Sequence, residues 1–246
     1  LKLSPAEMRK IRGRHISMIL QDPHVSLNPV FTVGDQIMEA VQLHRKSERG
    51  PALWQRVLEA LRMVQMPDPQ RRATQYPHQM SGGMRQRVVG AIMISCEPEL
   101  LIADEPTTSL DVTIQAQYLR LLREIQDATG LSIIFITHDF GIVAKMCHKV
   151  AVMYAGTIVE SGSVRDVFRR ASHPYTQALL ASVPSMKRVE RLASIGGQPP
   201  SLTDLHSGCP FAERCPHTQD RCWQARPPLV PVGDGHDGAC WLLEAA

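Results

Sequence analysis

The segment that most constrains the fold is residues 100–103, a Leu-Leu-Ile-Ala run that contains no polar side chain. A short run that is apolar at every position predicts a central strand of a parallel sheet, covered on both faces. Two acids, Asp104 and Glu105, follow directly. Because α/β proteins bind their ligands at the carboxyl edge of such a sheet, we expect paired carboxylates at a binding edge.

Strand and helix patterns alternate around this run. Further strands are predicted at residues 15–20, 132–137 and 150–154. Leu53, Val57 and Leu61 recur at the spacing of one apolar helix face, and Asp111 is a good N-cap for a helix that Gly130 ends. This alternation predicts an α/β fold. Beyond about residue 166, Pro, Gly and Cys accumulate, which predicts a small irregular extension.

Composition excludes several classes of protein. At 246 residues and a formal net charge of +3, the chain is too weakly basic to indicate a nucleic-acid partner by charge alone. No apolar run approaches the roughly 20 residues that a transmembrane helix needs, and the N-terminus lacks the apolar core of a secretory signal. The first residue is Leu1 rather than Met, so we expect the sequence to begin partway through a longer protein.

Three polar residues stand where a phosphate-transfer reaction would need them. Asp104 is a candidate Mg²⁺ ligand because this cation prefers hard oxygen donors, and Glu105 is a candidate general base for an attacking water. His138 ends the strand predicted at 132–137 and could hydrogen-bond a terminal phosphate. Taken alone, each residue also has an ordinary structural explanation, such as a turn or a structural hydrogen bond.

A glycine turn, Ser81-Gly82-Gly83, opens another predicted helix. A helix N-terminus presents free N–H groups and a partial positive charge to an anion, and glycines allow its close approach. The alternative is an ordinary serine N-cap with a flexible turn. Gln21, which follows the first predicted strand, is the weakest of these candidates by itself.

Taken together and in this order, the residues resemble the motifs of the nucleotide-binding subunits of ABC transporters. Gln21 matches the Q-loop, Met80-Ser-Gly-Gly-Met the signature motif, residues 100–105 the Walker B strand, Ser109-Leu-Asp111 the D-loop and His138 the switch histidine. The resemblance implies catalysis by Glu105 and His138, nucleotide contacts from Gln21, Ser81, Gly82, Gly83 and Asp111, and Mg²⁺ held by Asp104 and Gln21. The family signature commonly begins with Leu, and Met80 is a replacement of similar volume.

The resemblance covers essentially the whole chain and is closest to the dipeptide, oligopeptide and nickel importers, in particular to the first of their two ATPase subunits. It is carried by Asp104-Glu-Pro-Thr-Thr-Ser-Leu-Asp-Val-Thr-Ile-Gln-Ala-Gln117, Val150-Ala-Val-Met-Tyr-Ala-Gly156, His173-Pro-Tyr-Thr-Gln-Ala-Leu-Leu180 and Gly208-Cys-Pro-Phe-Ala-Glu-Arg-Cys215.

This resemblance implies a P-loop NTPase-like ABC nucleotide-binding domain at residues 1–165, with a helical subdomain at about 28–98 and a cysteine-rich extension at 166–246. It also implies an ATPase that uses ATP and Mg²⁺ and sandwiches each ATP in a homo- or heterodimer. The implied partners are two membrane permeases and, indirectly, a substrate-binding protein, without nucleic acid. The expected location is peripheral, on the cytoplasmic face of the inner membrane.

One departure from the family pattern is that no G-x-x-x-x-G-K-S/T phosphate loop occurs in the sequence. We therefore expect an N-terminally truncated version, inactive as an isolated chain. Two alternatives follow. The chain could be a non-catalytic interaction module that supplies only its signature motif to a partner's ATP site. It could also be a soluble ABC ATPase of DNA repair or translation, against which the cysteine segment and the lack of heptads argue.

Four cysteines near the C-terminus, Cys209, Cys215, Cys222 and Cys240, are spaced C-x5-C-x6-C-x17-C. Structural zinc sites usually contain a tight C-x2–4-C pair, which is missing from this spacing. Some subunits of the importer branch hold a 4Fe–4S cluster in this segment, so the resemblance implies that cofactor, with zinc or reduced thiols as alternatives. Three nearby histidines are expected to be loop residues rather than ligands: His206, His217 and His236.

Overall fold

The computed structural model describes residues 2–21, 26–45, 47–108, 110–183, 194–203 and 205–244. The chain divides into two compact units, Leu1–His138 and Asp139–Ala246. The domain boundary predicted at residue 165 therefore falls inside the second unit. No helix in the described ranges is long and apolar enough to cross a bilayer.

A three-stranded parallel sheet forms the centre of the first unit. Its strands are β1 (Ile16–Ile19), β2 (Leu100–Asp104) and β3 (Ser132–Ile136), and β2 lies between the other two. The prediction that residues 100–103 form a central parallel strand is confirmed. All three carboxyl ends lie at one edge, because parallel strands in register end together.

The two faces of this sheet differ in burial. Leu101 and Ala103 of β2 are 0% exposed, whereas Met18, Ile134 and Ile136 on the opposite face are 39%, 50% and 48% exposed. In the run itself, Leu100 and Ile102 on that second face are half-buried, so the predicted cover of both faces is only partial among the residues described. An uninterrupted apolar run does not by itself tell which of its two faces the tertiary structure covers.

The helices of the first unit follow the expected pattern. They are α1 (Pro5–Ile11), α2 (Val33–His44), α3 (Pro51–Met63), α4 (Pro69–Ala73), α5 (Gly82–Ile94) and α6 (Val112–Thr129). Leu53, Val57 and Leu61 of α3 are at most 4% exposed, which confirms the predicted apolar face.

Both predicted ends of α6 are confirmed. The carboxylate Oδ1 of Asp111 accepts hydrogen bonds from the backbone N–H groups of Thr113 at 3.1 Å and Ile114 at 3.0 Å, which satisfies donors that have no partner inside the helix. At the other end, Gly130 adopts a φ of 73°, the left-handed conformation that favours glycine after a helix.

The second unit is built around an antiparallel sheet. Its strands are β4 (Lys149–Tyr154), β5 (Thr157–Ser163), β6 (Val230–Gly233) and β7 (His236–Gly238), in the order β4-β5-β7-β6. Its helices are α7 (Phe140–Met146), α8 (Val164–Arg169), α9 (Pro174–Ala181) and α10 (Asp220–Gln224). The cysteine-rich extension thus contributes two strands to the sheet that β4 and β5 begin.

A two-residue hairpin joins β4 to β5. Ala155 and Gly156 have φ values of 44° and 78°. Two successive left-handed residues match the right-handed twist of the flanking strands.

A buried carboxylate ties the sheet to the segment that precedes α9. Glu160 is 0% exposed and accepts hydrogen bonds from the backbone N–H groups of Ser172 at 2.7 Å and His173 at 3.0 Å. The Nε2 atom of His236, in β7, lies 2.7 Å from the Oε1 atom of Glu160. Burial alone would raise the pKa of Glu160, but the donors around it outweigh burial and lower that pKa overall.

We expect the second unit to lose stability as the pH falls from about 6.5 to about 4. Burial lowers the pKa of His173 from 6.5 to about 4, although Glu160 opposes this shift. Between these two pH values, His173 binds a proton in the unfolded chain but not in the folded chain. Lowering the pH from 6.5 to 4 therefore reduces the free energy of unfolding by roughly 3 kcal/mol. Protonation of Glu160, whose folded pKa is also lowered, adds a further loss at still lower pH.

Thermal unfolding followed by circular dichroism across this pH range measures the effect. His173→Asn is the matched control, because asparagine can also cap α9 but does not titrate. The slope of stability against pH between 6.5 and 4 should flatten in this variant. An unchanged slope would show that another group titrates there.

Candidate functional site

Three predicted site residues meet at the carboxyl edge of the parallel sheet. Gln21 follows β1, Glu105 follows β2 and His138 follows β3. The Nδ1 atom of His138 lies 2.8 Å from Glu105 Oε1, and the amide Nε2 of Gln21 donates to Glu105 Oε2 at 3.2 Å. Residues that are far apart in the sequence are brought together because neighbouring parallel strands end at the same edge.

Thr108, which was not predicted from the sequence, joins Gln21, Glu105 and His138 in this site. Its hydroxyl donates to Glu105 Oε2 at 2.9 Å. The signal was available, since a hydroxyl three residues after a carboxylate in a turn is well placed to hydrogen-bond it. Both oxygens of the Glu105 carboxylate thus have partners: His138 on Oε1, and Gln21 and Thr108 on Oε2.

These contacts keep Glu105 ionised. The hydrogen bond with His138 is the main cause that lowers the pKa of Glu105, followed by the bond from Thr108. A carboxylate is the form that a general base requires. Because both oxygens are already engaged, we expect an attacking water to replace one of these contacts.

The backbone at Glu105 is strained. Its φ of 42° lies in the left-handed region, which non-glycine residues rarely adopt. Its N–H donates to the Ile136 carbonyl at 2.9 Å, and its own carbonyl accepts from the Thr108 N–H at 3.3 Å. Strain of this kind persists only where surrounding contacts hold it, and it concentrates at functional sites.

Asp104 is suited to bind Mg²⁺. It is the last residue of β2, half-buried, and its carboxylate makes no hydrogen bond or ion pair with the residues described. Within the same described ranges, no group of three or more His, Cys, Asp or Glu side chains could hold a metal ion. Mg²⁺ does not need one, because it is usually bound by one or two protein oxygens together with phosphates and water.

The glycine turn is arranged for a close approach to the start of α5. Ser81 is the N-cap, and its hydroxyl accepts from the Met84 N–H at 3.4 Å. A Cβ atom added at Gly82 would meet nothing within 4 Å, whereas one added at Gly83 would lie 3.0 Å from Ile114 Cγ2. Gly82 thus leaves space in front of the helix, and Gly83 allows close packing behind it.

The remaining predicted nucleotide contact is Asp111, which makes no hydrogen bond to Glu105 or to the residues bonded to it. Its carboxylate caps α6, so its nucleotide contact stays a prediction. Ser109, the first residue of the predicted D-loop, lies outside the described residues.

The four cysteines predicted as ligands line one cavity in the second unit. Cys209, Cys215, Cys222 and Cys240 surround it together with His217 and others. Burial is the main cause that raises the pKa of the Cys209, Cys215 and Cys240 thiols.

The cavity also depends on a close approach of two chain segments. The Cys209 N–H donates to the Cys222 carbonyl at 2.7 Å, and a Cβ atom at Gly208 would lie 2.1 Å from that carbonyl oxygen. Only glycine fits at residue 208. The four cysteines thus line one cavity, but in the described residues their side chains do not form a group that could hold a metal ion, so their role as ligands stays a prediction.

The neighbouring histidines differ in place. The prediction that His236 is a loop residue is wrong. His236 is the first residue of β7 and is buried against Glu160. His206 accepts from the Gly208 N–H at 3.1 Å and packs against Trp223. His217 lines the cysteine cavity.

Two protein families match the chain. Residues 2–108 match the ABC transporter family, and residues 159–222 match the oligopeptide/dipeptide transporter C-terminal region. The two matches lie in the order predicted from the motifs.

Curated relatives match almost the entire chain. A probable peptide ABC transporter ATP-binding protein of Sinorhizobium fredii is 54% identical over 243 residues, which are 98% of this chain and 72% of the relative. The dipeptide transport ATP-binding protein DppD of Bacillus subtilis is 52% identical, over 99% of this chain and 72% of the relative. The oligopeptide transport ATP-binding protein OppD of Mycobacterium tuberculosis is 48% identical, over 99% of this chain and 40% of the relative.

A solved structure shares the fold. The dimeric, post-hydrolysis ATP-binding cassette MJ0796, bound to ADP and phosphate, matches with a TM-score of 0.58 and 27% identity. The match covers 67% of this chain and 69% of that chain. It agrees with the predicted ABC nucleotide-binding fold.

Proposed function

The chain belongs to the ATP-binding proteins of peptide ABC transporters, and we propose that the protein carrying it, once a phosphate loop completes its site, hydrolyses ATP to energise the import of peptides or similar small solutes. The observation that carries this proposal is the Glu105 carboxylate, which is held between Gln21 and His138 at the edge of the sheet. The side chains of three separate motifs thereby converge on one general base.

Each residue of the site has its own role in the proposed hydrolysis. Glu105 accepts a proton from the attacking water, and His138 orients that water and hydrogen-bonds the terminal phosphate. Asp104 and the side-chain oxygen of Gln21 would hold Mg²⁺, which neutralises phosphate charge when it is bound.

The signature turn serves a second subunit in this proposal. Ser81 and the N–H groups at the start of α5 face the phosphates of ATP held by the partner, with Asp111 nearby in the interface. The free N–H groups of a helix start and the open space at Gly82 suit an anion. The dimeric state of the related MJ0796 cassette supports a sandwich of this kind.

A membrane permease is the proposed partner of the helical subdomain, which places the subunit at the cytoplasmic face of the membrane. Val30 and Phe31 are 70% and 51% exposed, although their loop is well fixed. Gln36 Nε2 donates to the carbonyls of Asn28 at 3.0 Å and Phe31 at 3.1 Å. Exposed apolar side chains on a fixed loop are typical of a protein contact.

Phe31→Glu is expected to reduce recovery of the permeases with this subunit at least about tenfold, because a carboxylate would be buried in an apolar contact. Co-purification from detergent-solubilised membranes measures it. Thermal unfolding should be unchanged, since Phe31 is half exposed. Leu3→Glu, which alters an exposed leucine outside the subdomain, is the control and should keep the permeases. Equal recovery with both variants would contradict the assigned surface.

Uptake of labelled solutes tests the function itself. Cells that lack the gene carrying this chain should lose uptake of dipeptides or oligopeptides and regain it with the wild-type gene. Nickel and an amino acid serve as comparison solutes. Retained peptide uptake, with loss of uptake for an unrelated solute, would overturn peptide import.

We further propose that Cys209, Cys215, Cys222 and Cys240 ligate a 4Fe–4S cluster. Fe–S clusters are held by four thiolates, and four thiols line this cavity. A single zinc ion fits less well, because structural zinc sites usually contain a tight C-x2–4-C pair and the spacing C-x5-C-x6-C-x17-C has none. The cluster would hold the extension against its sheet, without a redox role.

A further inference from the structure

Gln86 is a buried polar side chain that the proposed chemistry does not use. It lies in α5 and is 1% exposed. Its Nε2 atom donates a hydrogen bond of 2.7 Å to the backbone carbonyl of Pro106, the residue directly after Glu105. A buried amide is costly unless it is hydrogen-bonded, and here its bond reaches the turn that carries the general base.

The same face of α5 packs tightly on α6. Gly83, Gln86 and Gly90 recur at i, i+3 and i+7, which is one side of a helix. Added Cβ atoms would lie 3.0 Å from Ile114 at Gly83 and 3.4 Å from the Tyr118 hydroxyl at Gly90. The two glycines bring the helices together, and Gln86 spans from this contact to the turn after β2.

The turn after β2 needs such support. Glu105 has a φ of 42°, and a residue in this conformation keeps it only when neighbouring contacts fix the chain. The N–H of Glu105 is fixed by Ile136 on one side. On the other side, the hydrogen bond from Gln86 fixes the carbonyl of Pro106.

We propose that Gln86 is a positioning residue that couples the signature helix α5 to Glu105. Under the proposed function, on which this inference rests, α5 contacts the ATP of the partner's site, whereas Glu105 acts in its own site. A displacement of α5 on closure is passed through Gln86 to the Pro106 carbonyl and the adjacent base. One side chain then links the two ATP sites through a single subunit.

The same buried contact offers a matched control. Gln86 Oε1 and the Tyr118 hydroxyl have no partner with good hydrogen-bond geometry among the residues described, but they are close enough that Gln86 opposes the rise in the pKa of Tyr118 that burial causes. Tyr118→Phe therefore removes a polar atom from this contact and leaves the bond to Pro106 intact. Gln86→Met keeps the length and approximate volume of the side chain and removes only the amide.

ATP hydrolysis by the transporter complex is the first measurement. In Gln86→Met, kcat should fall about tenfold while KM for ATP stays within about twofold, because the base is misplaced and nucleotide binding is not. Tyr118→Phe should retain kcat. Amide hydrogen exchange is the second measurement. The Leu110 N–H, bonded to the Thr107 carbonyl at 3.0 Å, should exchange faster in Gln86→Met only.

The contrary outcomes are distinct. An unchanged kcat in Gln86→Met, or the same loss in both variants, would show that Gln86 only packs and would overturn the coupling. If Gln86→Met unfolds at the assay temperature, Gln86→Asn, one methylene too short to reach Pro106, takes its place with both readouts. A wild-type complex without ATPase activity would instead contradict the proposed function.

Discussion

Glu105→Gln is expected to abolish ATP turnover by the transporter complex while ATP binding is retained. Glutamine has nearly the same shape and can still hydrogen-bond His138 and Gln21, but it cannot accept a proton from water. Loss of a general base costs roughly a hundred- to ten-thousandfold in rate. Phosphate release measures turnover, and equilibrium binding of a fluorescent ATP analogue measures affinity.

The control for this variant is Glu99→Gln. Glu99 is an exposed acid that pairs with His15 at 2.8 Å and lies outside the Glu105 group. Its replacement should leave the rate near the wild-type value. Near wild-type hydrolysis by Glu105→Gln would show that another group activates the water. Loss of ATP binding together with turnover would instead make Glu105 a binding residue.

Cys209→Ser is expected to remove the absorbance of an iron–sulfur cluster near ~400 nm, because these clusters depend on thiolate ligands. The wild-type protein, purified without oxygen, should contain iron and acid-labile sulfide, and the variant should lose both. We also expect a lower melting temperature, since ligation contributes to folding free energy. Visible absorption and metal analysis of the same samples decide the result.

Cys96→Ser is the matched control. Cys96 is also buried, and burial raises the pKa of its thiol, but it belongs to the first unit and does not line the cysteine cavity. Its replacement should leave the absorbance unchanged. A colourless wild-type protein that contains zinc would replace the cluster with the zinc alternative. A metal-free wild-type protein would leave four reduced thiols.

The local features of the fold could be predicted because they depend on neighbouring residues. Asp111 and Gly130 mark the ends of α6 through the hydrogen bonds that a helix terminus needs. The apolar face of α3, with Leu53, Val57 and Leu61, followed from their spacing along one side of a helix. The strands β1, β2 and β3 were predicted from alternating strand and helix patterns, and β2 was predicted to be central.

Contacts between distant segments were harder to predict from the sequence. The strands β6 and β7 are short, and Val230–Gly233 contains both Pro and Gly, so nothing local indicated that β7 would pair with β5 and β6 with β7. The burial of His236 against Glu160 depends on that pairing. The open face of the parallel sheet likewise depends on what packs there, which an apolar strand pattern does not specify.

The sequence by itself determined which side chains meet at the sheet edge: Gln21, Glu105 and His138 each end a predicted strand, and parallel strands bring their ends together. Only the tertiary structure decided how Glu105 is held, through the Thr108 hydroxyl, the strained backbone and the buried bond from Gln86 to Pro106. The reason is physical. Strand position follows from local patterns, whereas a hydrogen bond depends on ångström-scale distances that packing alone sets.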